Sequence, residues 1–583
     1  MVFLLIPLQF LLIVPFLNEP ITLPRSALLA LWVSVLCIKN PTNLRLKSSQ
    51  QLFLLVIPVM YFVSGIVNQQ NPILMLMGNY NRNFGILTLL AMATFVIYLS
   101  NTKTKTKDFL VFGILPITVI SILYSFIQST SLDPIIWSEP DRIVLTLSNS
   151  NYAAALLAIL VIVPIYGIVT FKNVFFRIFL SIAMLLIIWA GMRTQSYQFR
   201  VLCLSSILIF TTIYFWPKIR KLSVVLRSVM FGLLAFVLIT FVTINRTDLI
   251  SRTNFTDRIS QQKMGLRMFL DYPIFGVGVD QFWRFVPQYL RSEDIQINGF
   301  LVVPDKTHNL VIDHLAMGGF IVGIAFLAFL LYSFLLIYRL NKLDSELLNR
   351  GEFALLSGIW ITYVVHLFVS TDNIFMMTLC FTCFGLISRD YYGIIANKPK
   401  ERRKVRKSSN LGKTATRIVA TAVFIPVALL NFNAMSHDTK IKKILNNQIL
   451  SGDEIVQTVK SFPNPKTSEQ VIIYLLDNVQ NCPVAINVMD DLLVVDNRSG
   501  QGWFFKAFCS DAGNDQKTAL VYINNALEFQ PLNTNYWEAK FRLEVRLKDF
   551  LSAQNSLNKL REIEPNSIRL NDLDALLSSS VNT

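Results

Sequence analysis

His308 and Asn309 stand where a polar stretch, PDKT, gives way to a long apolar run, in a chain with only four histidines. A neutral imidazole can take a proton from a hydroxyl, because its ordinary pKa lies near neutrality. The same residue can also be a hydrogen-bonded interfacial histidine, or a metal ligand. The metal reading has little support: His314, six residues on, is not on the same helical face, and no carboxylate set with ligand spacing is nearby. A second group of candidates is Arg25, Arg82, Arg142, Arg193 and Arg200, which occupy short links between apolar runs with no lysine beside them. A guanidinium grips phosphate through two parallel hydrogen bonds and keeps its charge. It can equally snorkel to a membrane interface, the reading preferred for Arg25 and Arg142. Arg82 is the strongest of the five, because GNYNRNFG is a polar, glycine-bounded turn.

Three further segments carry polar or conformational signals. Asn149 and Asn151, in LSNSNYAAALL, can cap a helix or bind sugar hydroxyls, and capping is preferred. A helix is expected to start after Asp257 as N-cap and to stop by Tyr272, ahead of Pro273. Gly276 and Gly278, in FGVGVDQF, permit a tight turn or a close approach to a ligand. They make a poor nucleotide fingerprint, since no strand precedes them and the third glycine is missing.

The elements that must position these residues are membrane helices. The chain has 583 residues, 53% hydrophobic and 15% charged, with mean hydropathy +0.49. Thirteen apolar runs are read as spans: 2–17, 22–38, 52–67, 85–100, 109–127, 151–170, 177–192, 201–216, 223–243, 308–338, 352–370, 373–390 and 415–431. The first has no small-residue cleavage site and a second follows closely, so it is not read as a cleaved signal peptide. Alternate links are rich in Lys and Arg, ending in the run KPKERRKVRK at 398–407, read as a topology anchor that attracts anionic lipid. The opposite short links hold only the five arginines named above. The expectation is therefore a cytoplasmic N-terminus, with the long loop 244–307, His308 and the C-terminal domain outside.

Residues 432–583 differ in character. They hold 15 Lys+Arg and 18 Asp+Glu, a net −3, which leaves +19 on residues 1–431. The basic excess thus belongs to membrane topology rather than to nucleic-acid binding. The same segment has a 34-residue period. Pro531 and Pro565, Ala519 and Ala553, and Ile523 and Leu557 keep it, and Ala485 and Met489 continue it backwards. Such a period resembles tetratricopeptide repeats, helix pairs that stack into an α-solenoid and commonly hold a protein partner. A passive structural cap is the alternative. Cys482 and Cys509 lie here and would pair in an oxidising compartment if close enough, whereas Cys380 and Cys383 fall inside an apolar run. The fold expected is all-α: a polytopic membrane domain, 1–431, of about twelve or thirteen spans, and a repeat domain, 432–583.

GNYNRNFG, LSNSNYAAALL, TQSYQF, RISQQKMGLRMFLDYPIFGVGVDQF and HNLVIDHLAMGGFIVG occur in that order, all on one expected face. Over roughly residues 50–395 this pattern resembles the O-antigen ligase and O-antigen polymerase superfamily. The resemblance implies a glycosyltransferase C-like, metal-independent enzyme with no cofactor, in a bacterial cytoplasmic (inner) membrane. It would pass an undecaprenyl-pyrophosphate-linked saccharide to a hydroxyl on a glycan, lipid or protein acceptor. Carried over, Arg82 would help hold the pyrophosphate, Arg258 would be the arginine before the glycine segment, and His308, with Asn309, would activate the acceptor or steady the leaving group. The family's Thr-x-Ser-Arg reads Thr194, Gln195, Ser196 and Tyr197 here, so Arg200 stands in as the third arginine. Where members often carry Glu after His-Asn, this chain has Ala316 and Met317. Polymerase and ligase remain open. Two other classes are kept: a membrane transporter of a small anion or glycan, and a membrane-anchored scaffold working through its repeats.

Overall fold

The computed structural model describes residues 2–41, 44, 46, 51–130, 132–223, 226, 255–298, 303–343, 348–396, 410–449 and 451–581. Every regular element among them is helical. Eight helices are long and apolar enough to cross a membrane, which makes this a multi-pass membrane protein. In chain order the membrane elements are α1 (Leu5–Leu11), α2 (Thr22–Lys39), α3 (Leu52–Val67), α4 (Pro72–Met77), α5 (Ile86–Ser100) and α6 (Thr106–Gln128). They continue with α7 (Ser150–Thr170), α8 (Val174–Arg193), α9 (Tyr197–Ile219), α10 (Phe255–Asp271), α11 (Leu310–Lys342), α12 (Arg350–Leu367), α13 (Ile374–Ala396) and α14 (Asn410–Leu445).

Twelve of the thirteen expected spans coincide with helices. The remaining one, 223–243, lies almost wholly outside the described residues, as do the basic run 398–407 and residues 244–254 and 299–302 of the long loop. Two bounds differ. Helix α1 stops at Leu11, short of the expected residue 17, and α14 runs on through the expected domain boundary at 431 to Leu445. The expected start after Asp257 also shifts: α10 begins at Phe255, so Asp257 lies in its first turn, where a carboxylate favours the helix dipole.

Local sequence explains several helix starts. Asn149 accepts from the Asn151 N–H (2.8 Å) and caps α7; Asn309 accepts from Val311 and Ile312 N–H (3.1 and 3.3 Å) and caps α11; Asn349 caps α12. Helix α12 is buried nearly all round, and Trp360 and Tyr363 lie in a ring cluster with Phe329, Phe381 and Phe384.

Beyond α14 come eight helices: α15 (Gly452–Ser461), α16 (Pro465–Tyr474), α17 (Cys482–Val495), α18 (Gly500–Ala512), α19 (Gln516–Phe529), α20 (Thr534–Arg546), α21 (Phe550–Ile563) and α22 (Arg569–Val581). The 34-residue period is visible in their starts: α17, α19 and α21 begin at 482, 516 and 550. Each is preceded by a left-handed residue, Gln480, Asn514 or Lys548, and capped by Asn481, Asp515 or Asp549. Ala485, Ala519 and Ala553 are fully buried, as are Met489, Ile523 and Leu557, so the period marks the packed face. Cys482 and Cys509 form a disulfide that ties α17 to α18.

Candidate functional site

The turn GNYNRNFG links α4 to α5. Asn81 and Asn83 adopt left-handed backbone (φ 70° and 55°), and the Arg82 and Asn83 N–H groups both donate to the Asn79 carbonyl (3.1 and 2.8 Å). The chain reverses so tightly that a side chain on Gly78 would meet the Gly85 nitrogen at 2.5 Å. This turn projects Arg82 towards Asp305. Its Nε donates to Asp305 Oδ2 (2.5 Å) and its Nη2 to Oδ1 (3.1 Å), a two-pronged pair, while Nη1 donates to Tyr152 Oη and, at 3.4 Å, to Thr371 Oγ1. Burial alone would raise the Asp305 carboxyl, but Arg82 outweighs it and holds the pKa at about 2. Burial would likewise lower Arg82, and Asp305 and Tyr152 overcome it, so the guanidinium keeps its charge.

Arg82, Asn149, Asn151 and His308 all line one polar cavity, together with Asn81, Tyr152, Asp305 and the link Ser370–Asn373. His308 sits just outside α11 with left-handed backbone (φ 57°). Burial, and then the charge of Arg258, push its pKa down to about 4, with Asp305 pulling the other way. The imidazole is therefore neutral at pH 7 and a weaker base than its ordinary pKa suggests. Asn309 spends its side-chain oxygen on the α11 cap, and its Nδ2 donates to the Phe368 carbonyl (3.3 Å). Arg258 does not line the cavity. Its Nη1 donates to the Val369 carbonyl (2.6 Å), one residue before the link that does.

Other expected site residues have different surroundings. Gly276 and Gly278 are left-handed (φ 63° and 106°), but what they approach is α11. At Gly319 (φ 68°) α11 kinks. The Phe320 N–H turns to the Pro273 carbonyl (2.8 Å), and the freed Ala316 and Met317 carbonyls accept from Val277 and Gly278 N–H (3.1 and 2.9 Å). A Cβ on Gly276 would lie 2.5 Å from the Gly318 nitrogen. These glycines seat the chain against a helix rather than a ligand. Arg200 is exposed, with its guanidinium 4.6 Å from the Tyr197 ring, and stays out of the cavity. Arg193 is exposed too. Arg25 does not snorkel: it is buried and donates to the carbonyls of Leu12 (3.3 Å), Phe10 (3.0 Å) and Thr146 (2.7 Å). Arg142 is the surface arginine expected, paired with Glu139 at 3.3 Å.

Sequence reading missed Asp305, Tyr152, Thr371 and Asp372. Asp372 is buried in the link between α12 and α13. It accepts from Tyr363 Oη and from the Asn373 N–H (2.8 Å), and burial raises its pKa to about 7 despite those bonds. A carboxyl poised at neutrality beside a cavity is a candidate acid–base group. The usable signal was a lone acidic residue in a two-residue link between apolar runs.

Asp372 and Phe84 also line a second, largely apolar cavity, walled by α3, α5, α11 and α13. One wall carries buried polar groups. Lys306 pairs with Asp280, whose other oxygen accepts the Asn79 N–H (2.7 Å); Asp313 accepts the Thr307 N–H (2.8 Å); and His314 Nδ1 meets Tyr61 Oη at 2.7 Å. Comparison with known proteins finds no family model and no curated sequence that matches this chain.

Proposed function

We propose that this protein transfers a glycan from an undecaprenyl-pyrophosphate carrier to an acceptor hydroxyl at the outer face of a bacterial cytoplasmic membrane, as a polymerase or ligase of O-antigen type. The observation that carries this reading is the joining of two unlike cavities. The polar one holds Arg82, His308 and Asp372, the apolar one adjoins it, and Phe84 and Asp372 belong to both. A lipid diphosphate sugar has the same division, with an anionic head and a hydrocarbon tail.

In the transfer the acceptor oxygen attacks the anomeric carbon, the bond to the pyrophosphate oxygen breaks, and the lipid leaves as its diphosphate. Arg82 stabilises charge developing on that leaving group. The acceptor's proton goes to Asp372 or His308, which face the same cavity. Asp305 occupies the Arg82 fork at rest, so the diphosphate must compete with it. Placement outside the cytoplasm is supported by the disulfide, since such bonds persist in oxidising compartments. The C-terminal helices dock at the cavity's end of the bundle, where Arg284 pairs with Asp496 at 2.6 Å. With that end outside, the N-terminus lies inside. The repeats are read as tetratricopeptide-like and as a seat for a protein partner.

The test is reconstitution with lipid-linked glycan from the host membrane. Wild type, His308→Ala, Arg258→Ala and Asp372→Asn are compared at matched folded levels, and product length is read by gel and mass spectrometry. Lengthened glycan from wild type alone supports a polymerase, and donor loss without lengthening points to a ligase with a separate acceptor. Equal activity in all four proteins refutes the reading. Transport is the second reading, and the buried Lys306, Asp280, Asp313 and His314 favour it, because ionisable groups within a membrane bundle commonly mark translocation paths. Flux into sealed vesicles that survives Arg82→Met and fails in Asp313→Asn selects it.

A further inference from the structure

The Arg82 turn is held from two directions. On the bundle side, Asp280 Oδ2 accepts the Asn79 N–H at 2.7 Å. On the other side stands Tyr80, two residues before Arg82 and buried. Its hydroxyl donates to Asp438 Oδ1 on α14 and accepts from Asn18 Nδ2 at 2.9 Å. Asn18 Nδ2 also donates to Gln470 Oε1 on α16 (2.8 Å). The second Asp438 oxygen accepts the Glu19 N–H (2.8 Å), and the Glu19 carboxylate in turn accepts the N–H groups of Ile21, Thr22 and Leu23 at the start of α2 (3.3, 3.0 and 2.6 Å). Thr22 Oγ1 closes the circuit by donating to Asn83 Oδ1, the residue after Arg82 (3.0 Å). Below this ring Leu23, Met77, Ala434 and Phe462 pack as a small apolar cluster joining α2, α4, α14 and the segment after α15.

The Tyr80 and Asn18 bonds tie the turn that carries Arg82 to α14 and α16, the elements that lead into the C-terminal helices, while Thr22 and Asp280 anchor it to α2 and to the segment after α10. Asp438 is 1% exposed and both of its oxygens are used, so it is neither a surface charge nor part of the polar cavity. We propose that Asp438 is a positioning residue: through Tyr80 and Asn18 it lets the C-terminal helical domain set where Arg82 sits, and hence how well the cavity holds a diphosphate. The proposal rests on the diphosphate reading above for its consequence, but the coupling itself is testable without it.

The chemistry grades the variants. Tyr80→Phe removes the hydroxyl on which Asp438 and Asn18 converge and keeps the ring's volume. Asp438→Asn retains an acceptor for Tyr80 but presents an amide N–H to the Glu19 N–H, so one of its two bonds is lost. Asp438→Ala loses both. Gln470→Ala cuts only the outer link, from the repeat side. Full-length protein in detergent is followed by hydrogen–deuterium exchange over residues 78–85, where the Arg82 and Asn83 amides bond to Asn79 and the Asn79 amide to Asp280, and by calorimetric titration with inorganic pyrophosphate. The expected result is faster exchange confined to 78–85 in the order Ala, Asn, wild type at 438, with Tyr80→Phe near Ala and Gln470→Ala smaller. Pyrophosphate affinity falls by about tenfold in Tyr80→Phe, with partial rescue in Asp438→Asn relative to Asp438→Ala, each compared in folded protein.

Exchange over 78–85 that is the same in Tyr80→Phe and Gln470→Ala as in wild type overturns the proposal. Should an Asp438 variant fail to fold, those two variants alone decide it. Loosening of 78–85 in a protein whose wild type binds no pyrophosphate supports the coupling and refutes the diphosphate reading. Unaltered exchange with pyrophosphate binding intact does the reverse.

Discussion

Arg82 and Asp305 offer the sharpest separation of stability from function. In Arg82→Met the carboxylate of Asp305 loses the two-pronged partner at 2.5 and 3.1 Å. Breaking a fully buried pair from one side costs about 3–5 kcal/mol. Here the side chains are 20% and 34% exposed, so water screens the loss, and about 1–3 kcal/mol is expected. The Asp305 pKa is depressed in the folded state, so its stabilising contribution is in full force above its unfolded value near 4 and is lost as pH falls through about 2. Measurements at pH 7 therefore see all of it. The double variant Arg82→Met/Asp305→Asn removes the stranded charge and should recover most of the lost stability. Binding should behave otherwise. Losing a bidentate, charge-assisted grip on phosphate costs roughly 1.5–3 kcal/mol, or about 10- to 100-fold in affinity. Asp305→Asn alone removes the carboxylate that competes for the fork and should tighten pyrophosphate binding. Thermal melting and calorimetric titration of the four proteins give the full cycle. Wild-type affinity in Arg82→Met, with the protein folded, would refute the assignment of this arginine to the diphosphate.

Three further outcomes are expected. Burial and Arg258 hold His308 at about 4, so its contribution to stability is present above the ordinary value near 6.5 and is lost as pH falls through about 4. An anion entering the cavity raises that pKa, so pyrophosphate binding near pH 6 should take up a proton in wild type and not in His308→Gln, read by calorimetry in buffers of different ionisation heat. Gly319→Ala should destabilise by about 2 kcal/mol or more, seen as a lowered melting temperature, because left-handed strain adds to collision with the Ile274 carbonyl. Reduction, or Cys482→Ser, opens a loop of sequence separation 27 and should cost about 3.5 kcal/mol by the loop-entropy estimate, read as greater protease sensitivity of residues 452–581 with the membrane helices intact.

What the sequence made legible was local. Asn149 and Asn309 cap their helices because an amide oxygen two residues ahead of a free N–H needs no tertiary partner. The 34-residue period was legible because each repeat buries the same small and large positions, Ala519 with Ile523 and Ala553 with Leu557. The meeting of Arg82 with Asp305 was not, since it depends on how α4, α5 and α11 pack. Arg25 was misread for a related reason. Helix α1 ends at Leu11, so the carbonyls of Phe10 and Leu12 lack helical partners and turn to a guanidinium that would otherwise have sought water. Gly276 and Gly278 were read as permitting a tight turn or a close approach to a ligand, but spacing cannot say what is approached; the kink at Gly319 supplies a helix backbone.

Transfer and transport make opposite demands on the apolar cavity, and its far end bears on the choice. On α11 its lining runs from Leu310 to Phe329, about the middle of the helix. There Phe329 packs against Phe381 (5.8 Å between centroids), Phe384 (5.2 Å) and Trp360 (5.9 Å), and Trp360 packs against Phe384 at 5.0 Å. Phe329, Phe384 and Trp360 are at most 1% exposed. A cargo crossing the bundle by this route would have to part interlocked rings whose contacts are among the most strongly stabilising in a core. A lipid tail entering sideways from the bilayer would not, because it needs only to rest above them while its head group reaches Arg82. The buried Lys306–Asp280 pair fits that arrangement as well: Asp280 holds the Asn79 N–H and so steadies the Arg82 turn from below. Its charge is then used for placing an arginine at one end of the bundle, and the balance of the cavity's features favours chemistry at that end over passage through it.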